Sequence, residues 1–537
     1  MVDNPEVGIP WLYKGLITWA FFWAFLDAYS IGANDVANAF ANSVAARTIT
    51  YRQACLLACI FELIGCVALG SAVTDTIKSK ITNVSYFKND PYVLALGMST
   101  VNIGSGLWVV IATVLSMPVS TTHAVVGAVL GIGIAAWGTG GVIWSYEAKG
   151  FLQIVASWFI SPCVSGALSA IFYLVTKFVI LKNPDDVAAR RGIALLPLYF
   201  FFVFGVIAGF MCMKGIPALK NTPYKVTVPV TVAIGIFFGL IGYIFCFTIP
   251  KGAYGYVTDQ TATKDMESAV EGDVAMQQQY NGQAFGEPAQ YAISGSAFGE
   301  SEKGKGAEES VGSDSNDSAL VKVLKYISPG MFMDIAELSE EDADMHSRAF
   351  QANPKTEELF KILQLSTCCF FSLAHGANDL ANAVGPFATV WMVYSTGVVN
   401  SKADVPLWLL FYGGIALDIG LLTMGHQIMS ALGNRLTLQS PSRGFNIELG
   451  AMFTVMVFSR LGIPVSTTHC ISGATTGVGL CNGDVRSVNW KLLAVIFGGW
   501  IVTCPAAGIV TGLIFWAIIS APNPTPGNGF FEGHYHG

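Results

Sequence analysis

Two short polar strings, each occurring twice, are the residues of this chain best equipped to do chemistry. Gly32-Ala33-Asn34-Asp35-Val36-Ala37-Asn38-Ala39 returns as Gly376-Ala377-Asn378-Asp379-Leu380-Ala381-Asn382-Ala383, with one conservative change in eight positions. Pro118-Val119-Ser120-Thr121-Thr122-His123 returns unchanged at 464–469. Asp35 precedes Thr121 by 86 residues and Asp379 precedes Thr467 by 88, so the two copies keep their spacing. Either string seen once would read as an ordinary helix cap. Two strings repeated at a matched distance imply a shared task.

The residue types define that task as holding an anion and a hard cation together. Ser-Thr-Thr behind a proline, opening a helix, offers hydroxyls and free backbone N–H groups at the positive end of a helix dipole, which suits phosphate or another oxyanion. The anion ligands are then Ser120, Thr121, Thr122, Ser466, Thr467 and Thr468, with Asn38 and Asn382 beside them. Neither string contains Arg or Lys, and an anion held by neutral donors is more easily released than one clamped by guanidinium. Asn34, Asp35, Asn378 and Asp379 supply the carboxylate and amide oxygens that sodium prefers over sulfur or imidazole.

Acids inside apolar spans are costly and mark function. Glu62 and Glu448 join the cation ligands on that ground; aligning the halves sets Asp418 opposite Glu62 and Asn102 opposite Glu448. Asp27 and Asp75 read as interfacial, and Arg460 as the partner of an acid near a helix end. His123 and His469, behind the hydroxyls, read as structural hydrogen-bonding residues ahead of proton carriers. His375 and His426 are unmatched in the other half and receive no role.

The elements that position these groups must lie in a membrane. Of 537 residues 53% are hydrophobic and 12% charged, with a mean hydropathy of +0.54. A soluble domain carries roughly 25% charged residues, so a soluble enzyme is excluded, and no nucleophile–base pair, metal cluster or nucleotide loop suggests an enzyme of any kind. The net charge of −7 is concentrated in one place: residues 251–358 hold 20 of 36 acids and 8 of 29 bases, giving −12, and the remainder is +5. From 256 to 318 the composition cannot bury enough apolar surface to order itself, and Leu320 to Ile327 reads as a short amphipathic turn. The cysteines lie mostly in apolar spans, adjacent Cys368 and Cys369 reading as packed thiols. No signal peptide precedes the first span.

Twelve apolar segments are expected, at 11–30, 52–73, 92–117, 123–138, 151–180, 192–213, 226–250, 358–374, 406–432, 445–462, 464–480 and 490–520. The chain is therefore read as an all-α polytopic membrane protein of about 12 spans. Its parts are a first repeat at 1–180, two connecting spans at 181–250, a polar cytoplasmic loop at 251–357, a second repeat at 358–520 and an extracellular tail at 521–537. An odd number of crossings separates Asp35 from Asp379, which makes the repeats inverted, with broken or re-entrant helices at the midplane, as in secondary transporters. The short loops on the two faces carry nine bases each, and Lys251, Lys264, Lys355 and Lys361 at the ends of the polar loop place it inside. Both termini then fall outside, as does the glycosylation sequon Asn83-Val84-Ser85.

With these motifs the chain resembles the inorganic phosphate transporter family, and the flanks Leu438 to Leu449 and Val488 to Trp490 are similar to those of its fungal-type sodium/phosphate symporters. The resemblance covers nearly all of the chain outside the polar loop. It implies import of inorganic phosphate coupled to sodium by alternating access, a homodimer in the lipid bilayer of the plasma membrane, no cofactor beyond the transported sodium, and no nucleic-acid partner. It also implies phosphate contacts from the two Ser-Thr-Thr clusters, and dependence on Asp35, Asn38, Asp379, Asn382, Glu62 and Glu448; Asp418 is the least supported by it. Other readings of the same residues are a proton-coupled phosphate or oxyanion carrier, and a phosphate transporter with an added nutrient-receptor role.

Overall fold

The computed structural model describes residues 11–69, 81–146, 150–210, 223–248, 325–334, 336, 339–399, 405–460, 463 and 465–521. The expected disorder at 256–318, most of the amphipathic turn at 320–327, Asp75 and the Arg460 side chain lie outside the described residues. Residues 1–243 and 325–537 form one compact unit, which contains the whole site described below.

An apolar sequence in a bilayer must satisfy its backbone internally, and helices do so. Among the described residues the only extended pairings are two isolated bridges, Thr82 with Val142 and Thr437 with Val488. Among the described residues ten helices are long and apolar enough to cross a membrane, and the chain is an all-α polytopic membrane protein.

The first helix, α1 (Trp11–Ile31), passes through one π-helical turn, Gly32–Val36, into α2 (Ala37–Ala45). Such turns are frequent at functional sites, and here it holds the first polar string. There follow α3 (Tyr51–Leu69), α4 (Pro91–Val114), α5 (Thr121–Trp137), α6 (Phe151–Thr176), α7 (Asp185–Phe210) and α8 (Tyr224–Thr248). The short α9 (Glu340–Ser347) lies near the end of the polar loop, and then come α10 (Pro354–Thr396), α11 (Leu407–Leu432), α12 (Pro441–Arg460), α13 (Thr467–Leu480) and α14 (Trp490–Ile519).

The segment expected at 358–374 is part of α10, whose 43 residues make it roughly 65 Å long at 1.5 Å per residue. The polar string Gly376–Ala383 looked like an interruption in sequence, yet it continues the helix because its side chains are buried against other helices rather than in lipid. Two of the twelve expected segments fall short of a span by themselves: α12 carries Arg443 and Glu448, and α13 has only 14 residues.

The outside is apolar, and the largely apolar interior encloses a polar centre. Phe237, Leu240, Tyr243 and Ile244 on α8 are each more than half exposed, as a lipid-facing surface requires, whereas the acids, amides and hydroxyls of the motifs are buried. Where helices cross, small residues replace the large side chains of a soluble core. A Cβ on Gly131 of α5 would run into the Gly508 carbonyl of α14, and one on Gly477 of α13 into the Gly166 carbonyl of α6. Gly127/Gly131, Gly508/Gly512 and Gly473/Gly477 each repeat at four residues, the spacing that lets two helix backbones meet. These seams fix α5 and α13, whose first residues are the threonines of the site.

Candidate functional site

Both Pro-Val-Ser-Thr-Thr-His strings start a helix. Ser120 caps α5 by accepting the His123 N–H at 3.2 Å, and Ser466 caps α13 by accepting the His469 N–H at 3.3 Å. Asn34 holds the first of these starts in place. Its Oδ1 accepts the Val119 N–H at 3.0 Å while its Nδ2 donates to Thr113 Oγ1 at 2.9 Å and to the Met117 carbonyl at 3.0 Å. In the second copy Asn378 donates to the Val465 carbonyl at 3.3 Å and to Asp379 Oδ1 at 3.0 Å. The first amide of each string therefore ties the acid-bearing helix to the hydroxyl-bearing one.

The two copies meet at the acids. Thr121 donates to Asp35 Oδ2 at 2.7 Å and Thr467 to Asp379 Oδ2 at 2.8 Å, the same bond in each half. Cross bonds join the halves: Thr468 donates to Asp35 Oδ1 at 2.6 Å, Asn38 to Thr468 at 3.0 Å, and Asn382 to Thr121 at 3.2 Å and Thr122 at 3.3 Å. Asn38 and Asn382 also donate to the acids of their own strings, Asp35 and Asp379. All of these side chains are buried. Residues 344 positions apart in sequence (35 and 379) thus share one polar centre.

At that centre stands His375. Its Nε2 lies 3.0 Å from Asp379 Oδ2 and 3.9 Å from Asp35 Oδ1, and its Nδ1 lies 3.1 Å from both carboxylate oxygens of Glu62. Ser372 donates to Glu62 Oε1 at 2.9 Å. The assignment of no role to His375 is thereby corrected. Matching the halves hid it, because Ile31 occupies the corresponding place; its spacing of four residues from Asp379, which puts both on one helix face, was the signal that could have found it. Ligand atoms of Asp35, His375 and Asp379 lie within 4.8 Å of one another, and all three residues are buried. Three carboxylates surround one imidazole, so with all three ionised the centre is negative even beside an imidazolium.

Glu62 and Glu448 have different surroundings. Glu62 enters the centre through His375, whereas Glu448 accepts from Ser43 at 2.8 Å, from Thr367 at 2.6 Å and from Gln364 at 3.5 Å, in a hydroxyl-lined place of its own. Gln364, Thr367, Ser372, His375, Asp379 and Asn382 form one polar stripe along α10 that reaches both acids. Asp418 on α11 faces α3 near Cys59, Cys66 and Glu62, and its Oδ1 has no hydrogen bond. Asp27, expected at an interface, is fully buried.

His123 and His469 stand outside the carboxylate centre. His123 Nδ1 lies 3.3 Å from the Trp500 carbonyl and His469 Nδ1 3.0 Å from the Trp158 carbonyl. Their rings lie 4.4 Å apart, each against the tryptophan that serves the other. His426, half-buried on α11, is not part of the centre. Asn83 caps a short turn before α4, its Oδ1 accepting from the Ser85 N–H at 3.2 Å and hydroxyl at 2.5 Å.

A buried oxygen-rich centre built from two matched strings inside a polytopic helical bundle defines a membrane carrier of small ions. Comparison with known proteins makes this specific. Residues 31–511 match the family described as "Phosphate transporter family". The phosphate-repressible phosphate permease pho-4 of Neurospora crassa is 36% identical over 93% of this chain and 96% of its own. Sodium-dependent phosphate transporter 2 of Xenopus tropicalis is 30% identical over 88% of this chain and 92% of its own. A solved structure titled "The sodium-dependent phosphate transporter" superposes with a TM-score of 0.67 at 28% identity, covering 94% of this chain and 99% of that one. The chain belongs to the phosphate transporter family, a family of transporters and not of enzymes.

Proposed function

We propose that this transporter imports inorganic phosphate with sodium across the plasma membrane by alternating access of two inverted repeats, its termini and Asn83 facing outside and its polar loop inside. The observation that carries the reading is the cross-linked centre, in which Thr121 and Thr468 of opposite halves both donate to Asp35. Sodium binds first. The acids Asp35, Asp379 and Glu62 leave the centre negative until cations neutralise it, and only then do the hydroxyls of Ser120, Thr121, Thr122, Ser466, Thr467 and Thr468 have a reason to turn from carboxylate to phosphate. Because both halves supply ligands, moving one half against the other opens the site to one side or the other. Reciprocity requires phosphate to raise sodium affinity by the factor that sodium raises phosphate affinity. The sodium-dependent relatives support this coupling.

His375, bridging Glu62 and Asp379, favours one alternative, in which protons replace sodium as the coupling ion. Sodium-22 uptake into proteoliposomes decides between them. Phosphate added outside should stimulate it; no stimulation, with phosphate entry driven by a pH gradient, would refute sodium coupling.

A further inference from the structure

Asp27 lies on α1 eight residues before Asp35, roughly 12 Å along the helix, and the site described above makes no use of it. It is fully buried, and the Ser105 hydroxyl is the one side-chain donor at its carboxylate among the described residues. Among the described residues no Lys, Arg or His pairs with it. Ser105 lies across the α1–α4 contact, also fully buried, and its hydroxyl has no partner but Asp27 among the described residues. Gly106 allows the approach: a Cβ there would stand 3.0 Å from the Cα of Asp27. One turn earlier on α4, Asn102 donates to the Ala383 carbonyl at 3.3 Å and leaves its own Oδ1 unbonded.

A carboxylate stripped of water, with a single hydroxyl beside it and no counter-charge, is strongly destabilising. Packing does not require it here. Counted from the matched strings, the other half has Phe371 in the place of Asp27 and Ala451 in the place of Ser105, both buried, on helices α10 and α12 that pack as α1 and α4 do. The polar pair exists in one half only, and every polar side-chain atom in it is an oxygen, the donor type of a hard cation.

We infer that Asp27, Ser105 and Asn102 form an additional sodium site on the N-terminal side of the central one. With the N-terminus outside, an ion there stands between the external solution and Asp35, as a waiting position for the ion that reaches the centre. The inference rests on the sodium-coupled reading proposed above.

Sodium-22 binding to the purified full-length protein tests it, comparing wild type with Asp27→Asn, Ser105→Ala and Asp35→Asn. Asp27→Asn keeps the side-chain shape and should bind roughly one sodium equivalent fewer per chain, with the sodium needed for half-maximal phosphate uptake raised about tenfold. Ser105→Ala, which keeps the charge, should raise that concentration less, by about threefold. Wild-type stoichiometry and sodium dependence in both variants would overturn the site. So would Asp27→Asn shifting the pH dependence of uptake with sodium stoichiometry intact, which would make Asp27 a proton carrier. Failure of wild type itself to bind sodium would instead refute the sodium reading, and the site with it.

Discussion

The Thr468 hydroxyl donates to Asp35 Oδ1 at 2.6 Å although 433 positions separate the two residues. Their bond closes the centre from opposite halves of the chain, and the bond from Thr121 to the other oxygen of Asp35 completes it. The proposed alternating access needs ligands divided between the two halves, and this acid accepts from both.

Replacing Asp35 by alanine should remove phosphate uptake, and replacing Thr121 should sharply reduce it, while both leave the protein in the membrane. A hydrogen bond to a charged acceptor contributes roughly 1.5–3 kcal/mol, so Thr121→Ala alone should weaken uptake about tenfold or more at limiting substrate. Surface quantification alongside uptake separates loss of function from loss of protein. Normal transport in both variants would refute the assignment of the site.

His375→Ala should impair uptake as severely as loss of an acid, because it leaves Glu62 and Asp379 facing each other without the ring between them. His375→Gln retains a hydrogen-bonding group without a titratable proton. If sodium is the coupling ion, the glutamine variant should keep measurable sodium-driven uptake; complete loss of it with a preserved fold would favour proton carriage through the ring.

The glycine seams predict stability effects away from the site. Gly131→Leu and Gly477→Leu force side chains into the facing backbones of α14 and α6, and overpacking of this kind costs about 1–3 kcal/mol or more. Thermal melting in detergent should show both variants destabilised. Gly498, whose Cβ would meet nothing within 4 Å, is the control, and Gly498→Ala should melt as wild type.

On the loop side His346 of α9 places its Nε2 2.8 Å from the Asn434 carbonyl. Burial, the larger influence, holds its pKa below the ordinary value, and the carbonyl only partly opposes this. The neutral ring therefore donates to Asn434, and the docked form binds a proton less readily than the undocked one. Stability from this contact is complete above the ordinary imidazole pKa of about 6.5 and declines as pH falls below it. Protease protection of 340–353 should weaken on acidification in wild type, and His346→Gln should flatten that dependence.

Much of this was legible in the chain itself, for identifiable reasons. The spacing of Asp35 to Thr121 and of Asp379 to Thr467 pointed to paired acids and hydroxyls, because a duplicated string reveals its partners by repetition. Asp27 and His375 were misjudged for the complementary reason: each lacks a counterpart, and only packing shows that one is buried and the other central. The length of α10 was missed because Asn378, Asp379 and Asn382 interrupt an apolar pattern, and hydropathy cannot distinguish a helix facing protein from a helix ending at water. Glu448 was placed beside the central acids, and its own ring of Ser43, Gln364 and Thr367 depends on contacts between α2, α10 and α12 that no local pattern encodes.

Radiolabelled phosphate uptake by the purified protein, with sodium and proton gradients imposed independently across the same proteoliposomes, tests the central claim most directly. An inward sodium gradient at equal pH should concentrate phosphate above equilibrium, and Asp35→Ala should abolish that accumulation. Accumulation driven by a pH gradient alone, unaffected by sodium, would contradict the account.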